Sequence, residues 1–131
     1  MRDAQDGEKR ASVLLVEDEP LICVVAAEAL TELGFEVEAV SNASEALRRL
    51  RSGAPVDILF TDVELPGGMD GAALAQRARE LRPRLPVMYT SGKRAAIEHM
   101  EPVTGSMFLP KPYNPFDLGR LFDYLIAAKC A

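Results

Sequence analysis

The stretch "SVLLVEDEP", Ser12 to Pro20, decides the reading of the fold. Its apolar run, Val13 to Val16, has the length of a buried strand and then gives way to three acids, Glu17, Asp18 and Glu19. Pro20 suits the first turn of a helix, where its missing N–H is not needed. Strand, acidic turn and helix in that order make one βα unit. An apolar run without alternation belongs in a parallel sheet covered on both faces.

Four more runs extend the pattern: "FEVEAV" (Phe35 to Val40), "DILFT" (Asp57 to Thr61), "PVMYT" (Pro86 to Thr90) and "SMFLP" (Ser106 to Pro110). They alternate with segments of helical period, which predicts a doubly wound α/β fold with a five-stranded parallel sheet. "FEVEAV" alternates, and the last run contains Pro110, which has no ladder donor, so both are expected at the edges. Ile22, Val25, Ala26, Ala29 and Leu33 mark the inward stripe of a first helix that stops at Gly34. Asn42 and Glu45 form a capping pair for a second, with Ala46, Leu47 and Leu50 inward and Gly53 and Pro55 closing it. A third opens after Gly71, carries Leu74, Ala75, Ala78 and Leu81, and stops before Pro83. Asn114, Pro115 and Asp117 open the last, with Leu118, Leu121, Phe122, Leu125 and Ile126 inward. In "KRAAIEHMEPVTGS" only about two turns fit before Pro102, so the fourth helix is expected to be short and poorly held.

With 131 residues the chain suits one domain, and 48% hydrophobic with 27% charged residues is the composition of a globular protein. A net charge of -5 and the lack of a basic, aromatic-interleaved run argue against nucleic-acid binding. Cys23 and Cys130 have no CxxC spacing, so neither zinc nor a disulfide framework is expected. No apolar stretch approaches the roughly 20 residues of a membrane span, and "MRDAQDGEKR" has no apolar signal region behind it. The expected organisation is a disordered tail at 1–10, a domain at 11–128 and a short tail at 129–131, in the cytoplasm. The initial Met and charged leader favour a stand-alone protein.

In an open parallel sheet ligands bind outside the carboxyl ends of the strands, so the residues where each apolar run gives out carry the chemistry. These are Glu17 and Asp18, then Asp62, then Thr90 and Ser91, then Lys111 before Pro112. Three carboxylates on one rim repel one another unless a cation sits among them. Oxygen ligands without nearby His or Cys select a magnesium-like ion, which commonly completes its shell with phosphate oxygens. A carboxylate attacks phosphorus when the metal, a hydroxyl and a lysine meet the developing charge, and Asp62, Ser91 and Lys111 fit those roles. Thr90 is the alternative hydroxyl; register favours Ser91. His99, the single histidine, is read as solvent-facing.

"LLVEDEP", "DILFTDVELPGGMDG", "PVMYTSG" and "FLPKPY" resemble, in this order and spacing, the receiver domain of two-component response regulators. The resemblance runs from about Val13 to the last helix and implies the flavodoxin-like strand order 2-1-3-4-5. It implies that Asp62 accepts a phosphoryl group from a histidine kinase or histidine phosphotransfer protein, with Mg2+ as cofactor. Asp18 and Asp62 would ligate the ion directly, Glu17 through water, and the backbone carbonyl of Glu64 would complete the protein's share. Ser91 would turn to the phosphoryl oxygen, Lys111 would pair with it, and Phe108 falls at the aromatic switch position. A cis Lys111–Pro112 bond is implied too. Glu64 and Lys93 would modulate the lifetime of the acyl phosphate, pairing across the site.

Against the family pattern, the turn "LPGGMDG" is one residue longer, the fourth helix is short, and Phe108 lacks a phenol hydroxyl. The expected chain is a phosphorylation-controlled switch, not an enzyme acting on an external metabolite, that biases a downstream protein partner as a monomer or weak dimer. The alternatives are a receiver-like scaffold that is never phosphorylated and a receiver excised from a hybrid histidine kinase. A small aspartyl phosphotransferase is disfavoured because Glu17-Asp18-Glu19 stands where a D-x-D pair would, with no cap insertion.

Overall fold

In the computed structural model, which describes residues 10–128, the strands are β1 (Ser12–Val16), β2 (Glu36–Val40), β3 (Ile58–Asp62), β4 (Val87–Ser91) and β5 (Met107–Pro110). All pairings are parallel and the order is β2-β1-β3-β4-β5, the flavodoxin-like arrangement, with the two expected strands at the edges. Every residue of the central β3 and β4 is buried, whereas β2 has exposed and half-buried residues along its length.

The helices are α1 (Pro20–Glu32), α2 (Ala43–Arg51), α3 (Gly71–Leu81), α4 (Arg94–Glu98) and α5 (Leu118–Ala128). α1 and α5 cover one face, where Val13, Leu15 and Phe60 meet Leu30 and Phe122. α2 and α3 cover the other, where Leu14, Leu59 and Val87 meet Leu47 and Leu74. Asn42 caps α2 by accepting the Glu45 N–H at 2.9 Å, and the Glu45 carboxylate reaches back to the N–H of Ser41 rather than Asn42. Asn114 caps a 3-10 turn, Pro115–Asp117, that leads into α5.

Two inward assignments are corrected. Val25 is 48% exposed, because the first turns of α1 reach past the sheet, and Leu30 takes the buried place beside Ala26 and Ala29. Leu81 is 42% exposed at the very end of α3, where the chain turns away to Pro83.

Arg10, assigned above to the tail, is held. Its guanidinium donates to the carbonyl of Leu33, pairs with Asp123 and lies 4.5 Å over the Phe35 ring. Gly119 makes room for it, since a Cβ there would come within 2.9 Å of the Arg10 Nη1. The rest of the two tails, including Cys130, lies outside the described residues. Cys23 is half-buried in α1 against the core.

Candidate functional site

The parallel register brings the strand ends to one rim: Val16 lies beside Thr61, Asp62 beside Thr90, and Ser91 beside Pro110. Glu17, one residue beyond β1, is 3% exposed, and its N–H is bonded to the Val40 carbonyl at 3.1 Å. Glu17, Asp18 and Asp62 each present a carboxylate oxygen, and these oxygens lie within 4.8 Å of one another. Lys111 enters from the end of β5. Its Nζ lies 2.7 Å from Asp62 Oδ2 and 2.9 Å from Glu17 Oε1. The other Asp62 oxygen accepts the Glu64 N–H at 2.9 Å, so the carboxylate is aimed from both sides. The Lys111–Pro112 peptide bond is cis, as expected.

The hydroxyl of Ser91 accepts the Lys93 N–H at 3.0 Å and donates to Glu64 Oε1 at 3.3 Å. Lys93 Nζ reaches Glu64 Oε2 at 3.2 Å, the pairing expected across the site. Thr90 is also buried, and its Oγ1 has no hydrogen-bond partner among the described residues. Phe108 is half-buried on β5, in register with Tyr89. His99 is exposed, with Nδ1 2.8 Å from the Ala95 carbonyl of its own helix.

The family model of the response regulator receiver domain matches residues 13–123. The chain belongs to that family. The receiver is 34% identical over 117 residues to the transcriptional regulatory protein TcrA of Mycobacterium tuberculosis, covering 88% of this chain and 44% of TcrA. It is 33% identical to the sensor kinase CckA of Brucella abortus over 85% of this chain and 12% of CckA. It thus spans less than half the length of these curated relatives. Among solved structures, a receiver protein from Sinorhizobium medicae superposes with a TM-score of 0.84 at 34% identity, over 91% of this chain and 96% of that one. The receiver domain of the hybrid histidine kinase CckA superposes at 0.75 and 34% identity, over 88% and 98%.

The electrostatics of this receiver follow from burial. Desolvation pushes the Glu17 carboxyl up, opposed by its hydrogen bonds to Lys111 and to the Glu19 N–H. Burial works against the Lys111 ammonium as well, yet the bonds to Asp62 and Glu17 outweigh it and hold the lysine charged. All-carboxylate donors on one rim fit a hard divalent cation, and receiver domains bind Mg2+ at such an acidic pocket.

Three neighbours escaped the sequence reading. Tyr113 stacks edge-on to Phe60 at 5.6 Å, and burial together with the Glu17 charge pushes its phenol up to about 12. Gly71 carries no side chain because α3 starts against β3; a Cβ there would lie 2.1 Å from the Asp62 carbonyl oxygen. A groove of about 540 Å³ opens beside Lys111, lined by Leu21, Ile22, Val25, Pro112 and Tyr113. Leu21 and Val25, apolar residues of α1 left exposed, mark it.

Proposed function

We propose that Asp62 of this receiver accepts a phosphoryl group from a histidine kinase or histidine phosphotransfer protein, and that the modification switches a surface read by a downstream protein. The observation that carries the reading is Lys111 Nζ seated between Asp62 and Glu17, with Asp18 on the same rim. Asp62 Oδ would bond to phosphorus while the P–N bond of the phosphohistidine breaks and the imidazole keeps its electron pair. Lys111 then has a phosphoryl oxygen to pair with in place of a bare carboxylate. Asp18 and Asp62 would hold Mg2+ directly, Glu17 through water, with the Glu64 carbonyl completing the protein's share; the ion supplies charge neutralisation for the transferring group.

Ser91 is the hydroxyl we assign to the phosphoryl group, and Thr90 is the second candidate at the next position of β4. Phe108, without a hydroxyl, serves as the aromatic of the switch by packing alone. Glu64 and Lys93, paired over the mouth of the site, are assigned to the lifetime of the acyl phosphate. The apolar groove beside Lys111 supports the donor side of the reading, because a phosphohistidine has to be carried to Asp62 by a protein seated over the strand ends. Among the described residues no helix is long and apolar enough to cross a membrane, and a cytoplasmic location and a monomer or weak dimer belong to this proposal.

The likeness to CckA favours a second context, in which the same receiver is one segment of a hybrid kinase. Intact mass after incubation with Mg2+ and acetyl phosphate tests the chemistry common to both. One added phosphoryl group on the wild-type chain and none on Asp62→Asn is expected. No addition to either, with several histidine kinases also failing as donors, would leave the unphosphorylated scaffold as the better reading.

A further inference from the structure

The short α4 is held from β4 at both sides by side chains of one strand face. At its N-terminal side, Lys93 has no side-chain cap to offer, and its N–H is taken by the Ser91 hydroxyl at 3.0 Å. At its C-terminal side, the N–H of Val103 donates to the phenol oxygen of Tyr89 at 3.0 Å. Tyr89 and Ser91 are two residues apart on a strand, so they share a face. Between the two tethers α4 buries none of its own residues, and Ala96, Met100 and Val103 are only half-buried against the core. The helix has little else to fix its orientation.

The two tethers differ in how they can respond. Ser91 Oγ donates its one proton to Glu64 and accepts the Lys93 N–H, so a hydroxyl drawn to a phosphoryl group transfers its donation from Glu64, and turning Oγ away toward the strand ends lengthens its bond from the Lys93 N–H. Tyr89 is 1% exposed and wedged in the core beside Phe108, its register partner. Its hydroxyl is engaged with the Val103 N–H of the loop before β5. Arg79 of α3 secures the next residue of the same loop, with Nη2 2.7 Å from the Thr104 carbonyl, and Ser106 Oγ closes on the Val103 carbonyl at 2.6 Å. One side of the helix is releasable and the other is fixed.

Resting on phosphorylation at Asp62, we propose that Tyr89 is the positioning residue of the output step, anchoring the C-terminal side of α4 so that withdrawal of Ser91 swings its N-terminal side alone. The phenol that Phe108 lacks is thus supplied from the neighbouring strand, where it acts on the loop before β5.

Amide exchange followed residue by residue, with and without beryllofluoride and Mg2+, tests this on the full chain. In the wild type, Lys93 loses protection on adding beryllofluoride while Val103 keeps it. In Tyr89→Phe, Val103 exchanges about fivefold faster before any addition, the equivalent of one ordinary hydrogen bond. On adding beryllofluoride, residues 94–106 then lose protection together. Mass gain on acetyl phosphate stays at the wild-type level, which a general loss of structure would not allow. A Tyr89→Phe chain that responds as the wild type does overturns the proposal, as does wild-type Val103 opening together with Lys93. If Tyr89→Phe does not fold, the comparison of those two wild-type amides decides alone. No mass gain in the wild type overturns the phosphorylation reading and this one with it; mass gain with unmoved exchange overturns only the role of Tyr89.

Discussion

Lys111 stands where two needs meet: its one ammonium pairs with both Glu17 and Asp62, and in the proposed reaction it would meet the incoming phosphoryl oxygen. Replacing it by methionine removes a positive charge from beside the carboxylates that would hold Mg2+. A dication and an ammonium about 4 Å apart repel by about 2 kcal/mol even at the dielectric of bulk water. Lys111→Met is therefore expected to bind Mg2+ about thirtyfold more tightly in a calorimetric titration while accepting phosphoryl groups from acetyl phosphate far more slowly; unchanged Mg2+ affinity would contradict the placement. The Glu64–Lys93 pair is a different case. Its lysine is largely exposed, and a surface pair contributes about 1 kcal/mol or less to folding. With the lifetime role proposed for the pair, Lys93→Ala should leave the urea midpoint in place and change the rate of phosphoryl loss from Asp62 by at least about twofold; an unchanged lifetime counts against that role. The carboxylates and Lys111 were legible in the sequence because each is the first polar residue where an apolar run stops. Tyr113 was not, because the half-buried place of a ring beside Phe60 depends on where the chain after Lys111 folds back.

At the scale of elements, the site depends on how closely α3 approaches β3. The Gly71 N–H is bonded to the Val63 carbonyl at 2.7 Å, and the helix starts there, capped by Asp70, whose Oδ1 accepts the Ala73 N–H at 2.9 Å. A methyl group on residue 71 would overlap backbone, which cannot give way as a flexible side chain can. Gly71→Ala is expected to lower stability by about 3 kcal/mol in urea and to slow the proposed phosphorylation by displacing Asp62, whereas Asp70→Ala should cost about 1 kcal/mol and leave Asp62 in place. Equal effects of the two would argue against close approach as the reason for the glycine. The turn between Asp62 and Gly71 closes through two consecutive residues with positive φ, Gly67 and Gly68, which only glycine takes without strain. Helix positions were readable from periodicity in α2 and α5, whose stripes are buried or half-buried as expected. They were less so in α1, where period alone does not tell which turns reach past the sheet.

For the whole molecule, the proton on Tyr113 reports how the site and the fold are joined. Its phenol sits at about 12, against an ordinary 10, because the folded chain buries it beside Glu17. The folded state thus holds this proton more tightly than the unfolded chain does. The stability it contributes is complete below about pH 10 and disappears as pH rises through 12, at most about 3 kcal/mol in all. The raised phenol of buried Tyr89 lowers stability over the same range in both chains, so urea midpoints taken between about pH 9 and pH 12 should fall further in the wild type than in Tyr113→Phe; parallel curves would place the Tyr113 phenol in water. By itself the sequence determined the parallel sheet, its two edge strands, the short fourth helix and the carboxylates and lysine of the rim. Each of these follows from local pattern: apolar runs, turn residues, and the point at which hydrophobicity gives out. Only the tertiary structure decided that Lys111 bridges Glu17 and Asp62, that Ser91 rather than Thr90 is bonded to Lys93, that Tyr89 holds the loop before β5, and that Arg10 packs against α5. These contacts join residues distant in the chain or select between adjacent ones. They are set by register and by the packing of helices on the sheet, which no local pattern encodes.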